Sequence, residues 1–492
     1  MMLLTLDGVG PVYLQIYRAV RSRILDGSLA PGLRLQSTRE VAVELRVARN
    51  TVLQAYEQLL AEGYVSGRVG SGTFVAREMP DRMMEVADTS PEPMSPGDQT
   101  AFGLSSFAQR VQIWDSPLKP KPRALRYDFR YGHPDIEDFP FDVWRRLLAR
   151  RARSANANSL LYAAPEGTPA LRRAIAGYVQ RSRGVRCHED QVLVVNGSQQ
   201  ALDLLARALL DPGDVVLIEN PSYLGAREVF RAAGARLIPG RVDPDGLNFE
   251  GLPRIANRTR LIYVTPSHQF PTGAVMPLAR RLALLSWAQA TGCYVIEDDY
   301  DSEFRYDGKP VEAVQGLDRS GLVIYLGTMS KTLFPGLRLG YLIVPPALVE
   351  PLRAIKFLAD RHTSTLQQDV LTDFIADGHF ERHLRRSRKR NASRREALMQ
   401  SLTRRLGGLG EMQGANAGLH MMVWLSGRVN SELSSIVTQA AAADVGIYPV
   451  TPYYFDPPHQ AGLLLGYAGL DESGIDQGIT RLAAIITARR AA

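Results

Sequence analysis

Lys331 stands where an apolar run ends. In LVIYLGTMSKTLFPGLRLGYLIVP, residues 322–345, the run Leu322–Leu326 reads as a buried strand that breaks into a Gly-Thr-Met-Ser turn. Arg338 stands just before a second apolar run, Leu339–Val344. A lysine after a buried strand, flanked by Thr328 and Ser330 and followed by an arginine, suits one task. It can hold an aldehyde cofactor as a Schiff base while the hydroxyls and the guanidinium take the cofactor's phosphate. Taken alone, the stretch also fits a surface lysine on a strand-to-helix turn; its upstream neighbours decide between the two.

Asn196-Gly197-Ser198-Gln199-Gln200 closes one apolar run and opens a helix, whose first N–H groups can receive a phosphate. Tyr223, after Glu219-Asn-Pro-Ser, can stack on a flat heterocycle, and a half-buried structural tyrosine fits as well. His268 lies in the constrained loop Thr265–Gly273 and suits either a cofactor oxygen or a structural hydrogen bond. Glu297-Asp298-Asp299-Tyr300 ends a further run, and acids ending a hydrophobic strand are costly without partners. A carboxylate there can keep a pyridine nitrogen protonated, and Tyr300 can hydrogen-bond a phenolate oxygen beside the imine.

Elements must position these groups. Strand-like runs at 191–195, 214–219, 235–239, 260–265, 293–298, 322–326 and 339–344 alternate with helical stretches. Near-continuous Val/Ile/Leu runs of this kind predict an α/β domain with a largely parallel sheet covered on both faces. Ligands in such sheets sit at the carboxyl ends of the strands, where the candidate residues fall.

The chain has 492 residues, 45% apolar and 22% charged, which predicts two or three ordinary domains. Its net charge of +7 permits a nucleic-acid partner without demanding one. The basic run Arg382–Arg395 favours a solvated helix face over a DNA contact. MMLLTLDGVGP lacks the basic start of a signal peptide, and no stretch approaches the roughly 18 apolar residues of a membrane span. Cys187 and Cys293 have neither metal nor redox spacing, so a reducing, cytoplasmic setting is expected.

Residues 11–77 have a different texture. A first helix from Val12 places Leu14, Tyr17, Val20 and Ile24 at helical spacing, and Ser37 or Thr38 caps a second through Leu45. A third runs to about Glu62 with Val52, Ala55, Tyr56, Leu59 and Leu60 inward. YVSGRVGSGTFVA follows as two strands around a glycine-rich tip. Three helices and a hairpin make a winged helix-turn-helix; by pattern alone a small helical protein-interaction domain stays open. Arg49, Asn50, Thr51 and Gln54 supply donors at the start of the groove-entering helix, Arg39 a backbone contact, and Arg68 and Gly70 a wing for the minor groove. Residues 78–125, rich in proline, read as a linker in which Phe102, Phe107 and Trp114 could dock on a neighbour. The body spans 126–488, with a small C-terminal α+β subdomain from about 380.

GSLAPGLRLQSTREVAVELRVARNTVLQAYEQLLAEGYVSGRVGSGTFVA resembles the DNA-binding domain of the GntR family of bacterial regulators, with Gln36 for a usual proline and Ala48 for a usual serine. The body resembles fold-type I aminotransferases of class I that use pyridoxal 5'-phosphate. Carried over, Lys331 takes the Schiff-base role, Asp298 the pyridine nitrogen and Tyr300 the phenolate oxygen. Ser198, Gln199, Thr328, Ser330 and Arg338 fall at phosphate positions, and Tyr223 at ring stacking. Tyr162, in YAAPEGTPALRRAIAGYV, matches a tyrosine that reaches the phosphate from the other subunit, which implies a homodimer.

Two departures stand out. Phe270 precedes Pro271-Thr272-Gly273 where aminotransferases carry asparagine, and Leu463-Leu464-Leu465 places leucine where an arginine binds a substrate carboxylate. A leucine cannot form that bidentate pair. Head plus body, with PSHQFPTG and EDDYDSEF, resembles the MocR branch of these regulators. The resemblance implies a dimeric transcription factor on a double-stranded DNA operator, with heads that can be swapped onto the partner subunit. It would sense the cofactor, or its adduct with an amine or amino acid, with little or no turnover. Vitamin B6 synthesis and an amine or amino-acid pathway are both compatible targets. An active aminotransferase with an appended head is the alternative, and a cofactor-free DNA-binding protein a third reading.

Overall fold

The computed structural model describes residues 4–68, 72–77, 103–111, 125–132, 134–155, 161–252, 258–306 and 311–488. They fall into two units, Met1–Gly103 and Leu104–Ala492. In the first, α1 (Val12–Leu25), α2 (Thr38–Leu45) and α3 (Arg49–Ala61) precede an antiparallel pair, β1 (Val65–Arg68) and β2 (Gly72–Val75). Ile16, Val20 and Ile24 meet Val41, Ala42, Val52, Ala55, Tyr56 and Leu59 in one core. Two expectations need correction. Ile16 rather than Leu14 lies on the buried stripe of α1, since Ile16, Val20 and Ile24 recur every four residues. Leu60 is 49% exposed, because it lies about 100° around the helix from buried Leu59.

The caps explain where α2 and α3 begin. The Ser37 hydroxyl accepts from the Glu40 N–H at 3.3 Å, and the Glu40 carboxylate accepts from the Ser37 N–H at 2.7 Å, a closed capping box. Arg46, at φ 53°, ends α2 in the left-handed region. Ala48 caps α3 with no side-chain hydrogen bond, as its missing hydroxyl requires.

The second unit opens with α4 (Ser106–Val111), whose Arg110 Nε donates to the Ala232 carbonyl at 2.8 Å. Phe107, expected to dock, is 45% exposed; on so short a helix the polar tether of Arg110 holds the segment instead. Phe102 and Trp114 lie outside the described residues. The chain continues through β3 (Tyr127–Asp128), α5 (Phe141–Ser154) and α6 (Pro169–Arg183) into the large sheet.

That sheet takes β4 (Val192–Val195), β5 (Val215–Asn220), β6 (Arg236–Asp243), β7 (Gly246–Leu247), β8 (Thr259–Val264), β9 (Tyr294–Asp299), β10 (Val323–Thr328) and β11 (Gly340–Ile343). Its order is β4-β11-β10-β9-β8-β5-β6-β7. From β10 to β6 all neighbours are parallel, while β11 runs antiparallel to both β10 and β4. Intervening helices are α7 (Ser198–Leu209), α8 (Leu224–Ala232), α9 (Leu278–Thr291) and α10 (Val314–Leu317). Alternate residues of each strand face opposite layers. Leu261 and Tyr263 pack with Leu202, Leu205 and Phe230 of α7 and α8, while Ile262 and Val264 pack with Leu284 and Ala288 of α9.

After β11, α11 (Pro346–Asp360) and α12 (Thr365–Ala376) lead to the long α13 (His379–Leu406). A smaller antiparallel sheet follows from β12 (Gly410–Gln413) and β13 (His420–Val429), then α14 (Leu433–Ala442), β14 (Val445–Gly446), β15 (Tyr448–Pro449), β16 (Gln460–Gly466) and α15 (Glu472–Ala488). Its order is β12-β13-β16-β15, and β14 pairs in parallel with β3.

The basic run on α13 is more than a solvated face. Arg388 Nε donates to the Glu303 carbonyl at 2.6 Å, Arg390 and Arg394 pair with Asp135 at 2.8 and 3.0 Å, and Arg394 and Arg395 bond the Ala468 and Ala415 carbonyls. These side chains tie α13 to the segments on both sides of it.

Candidate functional site

The carboxyl ends of β4, β5, β8, β9 and β10 all open on one cavity of about 210 Å³. Lys331, Asp298, Tyr300, Thr328, Ser330, Arg338, Ser198, Gln199 and Tyr223 all line it. Residues from five separate strand ends thus converge as a parallel sheet requires.

Lys331 lies just past β10, and its Nζ donates to the Gly132 carbonyl at 2.6 Å. Gly132 has φ +75°, and a Cβ there would lie 2.8 Å from that Nζ. Any larger residue would press on the amine. Burial lowers the Lys331 pKa, opposed by the nearby Asp301 and Asp298 carboxylates. A lysine so placed gives up its proton more readily than one in water, as a nucleophilic amine needs.

The three acids at the end of β9 have separate fates. Glu297 accepts from the Val314 and Gln315 N–H groups at 2.8 and 2.9 Å, and Asp299 pairs with Arg183 at 2.7 Å. Those two odd-numbered residues share one face of the strand; Asp298 takes the other. Its Oδ2 accepts from the Tyr263 hydroxyl at 2.7 Å, but its Oδ1 is buried with no partner among the described residues. Burial pushes the carboxyl up to about 7. An orphaned carboxylate oxygen facing a lysine across a cavity is the partner a protonated ring nitrogen requires.

At the other end, Ser198 begins α7, and the Thr328 hydroxyl accepts from the Ser330 N–H at 3.2 Å. Arg338 takes a left-handed conformation (φ 51°, ψ 44°) and donates to the Asn196 carbonyl at 2.6 Å. A Cβ on Gly197 would lie 2.8 Å from its guanidinium. A non-glycine residue held there costs roughly 1–3 kcal/mol and marks a position fixed by its surroundings. Helix start, hydroxyls and guanidinium together form an anion cradle. With the orphaned Asp298 oxygen and the desolvated lysine, the donor set fits a phosphorylated pyridine aldehyde.

One residue expected at the cavity is elsewhere. His268 does not line the cavity; it is 1% exposed, with Nδ1 3.0 Å from Asp301 Oδ2 and 3.0 Å from the Tyr300 hydroxyl. It lies behind Tyr300, within hydrogen-bond distance of it and of Asp301, and not on the cavity wall. Burial keeps Tyr300 well above the ordinary tyrosine range, so it stays protonated. Tyr162 is 79% exposed beneath the Arg361 guanidinium, 4.8 Å from its ring centre, and absent from its own chain's cavity.

Other lining residues escaped the sequence reading: Tyr131, Gly132, Tyr263, Asp301, Leu419 and His420. Asp301 adjoins Tyr300 and was within reach of it. His420 begins β13 in the small sheet, and no spacing in the sequence links it to Lys331. Phe270 and the middle one of the three leucines, Leu464, meet in space. Phe270 and Leu464 share one apolar cluster with Leu224, Met422, Val450 and Tyr453.

In the first unit, Arg49, Asn50 and Gln54 are exposed and Thr51 is half-buried in the first turns of α3, and Arg39 is exposed on α2. Arg49 Nε donates weakly to the Thr38 hydroxyl at 3.4 Å, which orders it between the two helices. Arg68 ends β1, and Gly70 lies outside the described residues. Among the described residues no helix is long and apolar enough to cross a membrane.

Residues 129–482 match the family described as aminotransferase class I and II, and residues 12–75 the gntR family of bacterial regulatory proteins. The chain is 40% identical over 98% of its length to the probable rhizopine catabolism regulatory protein MocR of Rhizobium meliloti, covering 95% of that protein. It is 36% identical over 96% of its length to an uncharacterized HTH-type transcriptional regulator, YhdI, of Bacillus subtilis, covering 95% of it. Among solved structures, it resembles the α-aminoadipate aminotransferase LysN of Thermus thermophilus, complexed with N-(5'-phosphopyridoxyl)-L-leucine. That likeness has a TM-score of 0.71 at 30% identity and covers 79% of this chain and 98% of the other.

Proposed function

The chain belongs to the MocR branch of the GntR family, DNA-binding transcriptional regulators with an aminotransferase-like, pyridoxal-phosphate-dependent body, and from that premise we propose that it senses this cofactor, or its adduct with an amine or amino acid, at Lys331. One observation carries the reading. The desolvated Lys331 amine and the unpartnered Asp298 Oδ1 face one cavity whose other end is an anion cradle. When bound, the cofactor supplies an aldehyde that amines condense with and a ring that draws electrons from the condensed carbon.

The chain's own residues do the rest. Lys331 holds the aldehyde, Asp298 holds a proton at the ring nitrogen, and Tyr300, fixed by His268, donates to the ring oxygen. Tyr223 covers the ring, and Ser198, Gln199, Thr328, Ser330 and Arg338 hold the phosphate. Tyr162, exposed on its own chain, reaches the partner's phosphate in a homodimer. Arg49, Asn50, Thr51 and Gln54 read an operator, with Arg39, Arg68 and Gly70 on the backbone and wing. The heads can be swapped onto the partner subunit, and cofactor or effector changes how the two heads engage the half-sites. The setting is the cytoplasm, where operator DNA resides.

The test uses the full-length chain. Added pyridoxal phosphate should give the absorbance band of a lysine-bound aldehyde, and borohydride should fix the cofactor on the Lys331 peptide. Lys331→Ala should lose both, and cofactor should change the wild-type gel shift on the chain's own upstream DNA. A band that survives in Lys331→Ala would reject the assignment. Sustained keto-acid release from an amino donor would favour an active aminotransferase, which Phe270 and Leu464 oppose.

A further inference from the structure

The anion cradle is held from behind by a carboxylate that does not itself line the cavity. α11 shares one core with α7, where Leu348 and Leu352 meet Leu202 and Leu205. Its last residue, Asp360, lies at the start of α7. There Asp360 Oδ2 accepts from the side-chain amides of Asn196 and Gln200, each at 2.7 Å. The Gln200 Oε1 in turn accepts from the Asn196 N–H at 2.7 Å. The Asn196 carbonyl is the group that anchors Arg338, and Gly197 and Ser198 follow it in the chain. One carboxylate thus grips the turn that carries both the helix start and the guanidinium's anchor.

An acid is a costly choice at that place. It sits at the negative end of the α11 dipole and close behind a site shaped for an anion. Lys356 offsets both effects. It is fully buried, and its Nζ donates to Asp360 Oδ1 and Oδ2 at 2.8 and 2.9 Å and to the Thr363 hydroxyl at 3.2 Å. An ammonium has three N–H donors, and here all three are engaged. Neither Lys356 nor Asp360 lines the cavity, so the pair offers a ligand no net charge and no direct contact. What it supplies is position. The next residue, Arg361, is held at φ 62° and ψ −66°, which marks the corner as fixed by its surroundings.

We propose that Asp360, neutralised by Lys356, is a positioning residue for the cofactor's phosphate, acting through Asn196 and Gln200 on the helix start and on Arg338. The inference rests on the reading of the cavity as the cofactor site. It adds a role for two residues of α11, more than 150 positions beyond the turn that they fix.

The experiment titrates the full-length chain with pyridoxal phosphate and with 5'-deoxypyridoxal, which has the aldehyde but no phosphate. Midpoints are read from the band of the lysine-bound aldehyde and, independently, by calorimetry. Lys356→Met/Asp360→Ala removes both partners together, so no buried charge is stranded. It is expected to weaken pyridoxal phosphate about tenfold while 5'-deoxypyridoxal stays within about twofold of wild type. Lys356→Met/Asp360→Asn, which differs only in keeping an acceptor oxygen, should regain most of that loss. Gln200→Leu leaves the ion pair intact and should show the same selective loss, about threefold; it decides the matter if the double variants do not fold. An equal loss with both ligands overturns the proposal, since general damage would spare neither. So does an unchanged or tighter midpoint for pyridoxal phosphate, or a loss that Lys356→Met/Asp360→Asn fails to regain. A wild-type chain that binds neither ligand rejects the cofactor reading and this proposal with it, an outcome distinct from a wild type that binds and variants without selectivity.

Discussion

Asp298 shows how a single residue couples the site to stability. Without cofactor its carboxyl is buried, its Oδ1 is unpartnered, and burial pushes it up to about 7. An unfolded aspartic acid loses its proton near pH 4. Between those values the folded chain holds a proton that the unfolded chain has released, so stability falls as pH rises through this window and levels off above it. Asp298→Asn removes this dependence while keeping an acceptor for the Tyr263 hydroxyl. The cofactor-free variant should therefore melt higher than wild type at pH 8, with the gap closing towards pH 5. Parallel melting curves across that range would contradict an unpartnered Asp298. In sequence this residue was one of three consecutive acids, and only the pairing of Glu297 and Asp299 on the opposite face singles it out. His268 marks the converse limit, since a histidine in a strand-end loop reads the same whether it meets a ligand or supports Tyr300 from behind.

Secondary-structure elements present their own tests. The capping box between Ser37 and Glu40 satisfies N–H groups that would otherwise lack partners at the start of α2. Ser37→Ala should cost about 1 kcal/mol of stability. In the same denaturant titration Ala48→Ser, restoring a hydroxyl to the bare cap of α3, should gain about as much. On α13, Asp135 is the shared partner of Arg390 and Arg394, and the Arg394 and Asp135 side chains are only 11% and 10% exposed. Removing one member of a buried ion pair strands the other, so Asp135→Ala should lose roughly 3 kcal/mol. A loss below about 1 kcal/mol would mean that water already screens these arginines. The basic run that looked like a solvated face in sequence is thus largely a set of tethers. Composition shows charge, but only packing shows what faces it.

At the scale of the whole molecule, the head belongs to a DNA-binding family and the body holds the cofactor cavity. Arg49, exposed at the start of α3, is the donor proposed to reach a base edge. Arg49→Ala in the full-length chain should weaken operator binding by roughly 1–3 kcal/mol and relax preference at one base pair. If Arg49 instead meets a phosphate, affinity should fall evenly across sequences, and the slope of log K against log salt should shrink by about one. Binding that changes in neither way would remove α3 from the groove. Because the two units are distinct, the same variant should leave the cofactor band unchanged.

The sequence by itself determined a great deal here. The period of the apolar positions placed all three head helices, and the continuous Val/Ile/Leu runs placed seven strands of the large sheet, because local periodicity and burial on both faces leave a direct trace in residue order. Lys331, Asp298, Tyr300 and Arg338 were legible for the same reason: each lies at or beside the end of a strand, and a parallel sheet collects strand ends. What only the tertiary structure decided is which groups face one another across distant segments. The docking of the small sheet brings His420 to the cavity wall and joins Phe270 to Leu464 in one cluster. Those contacts connect segments with no shared period, so residue spacing carries no record of them. They arise because the apolar face of β13 and β16 has to be buried against the body.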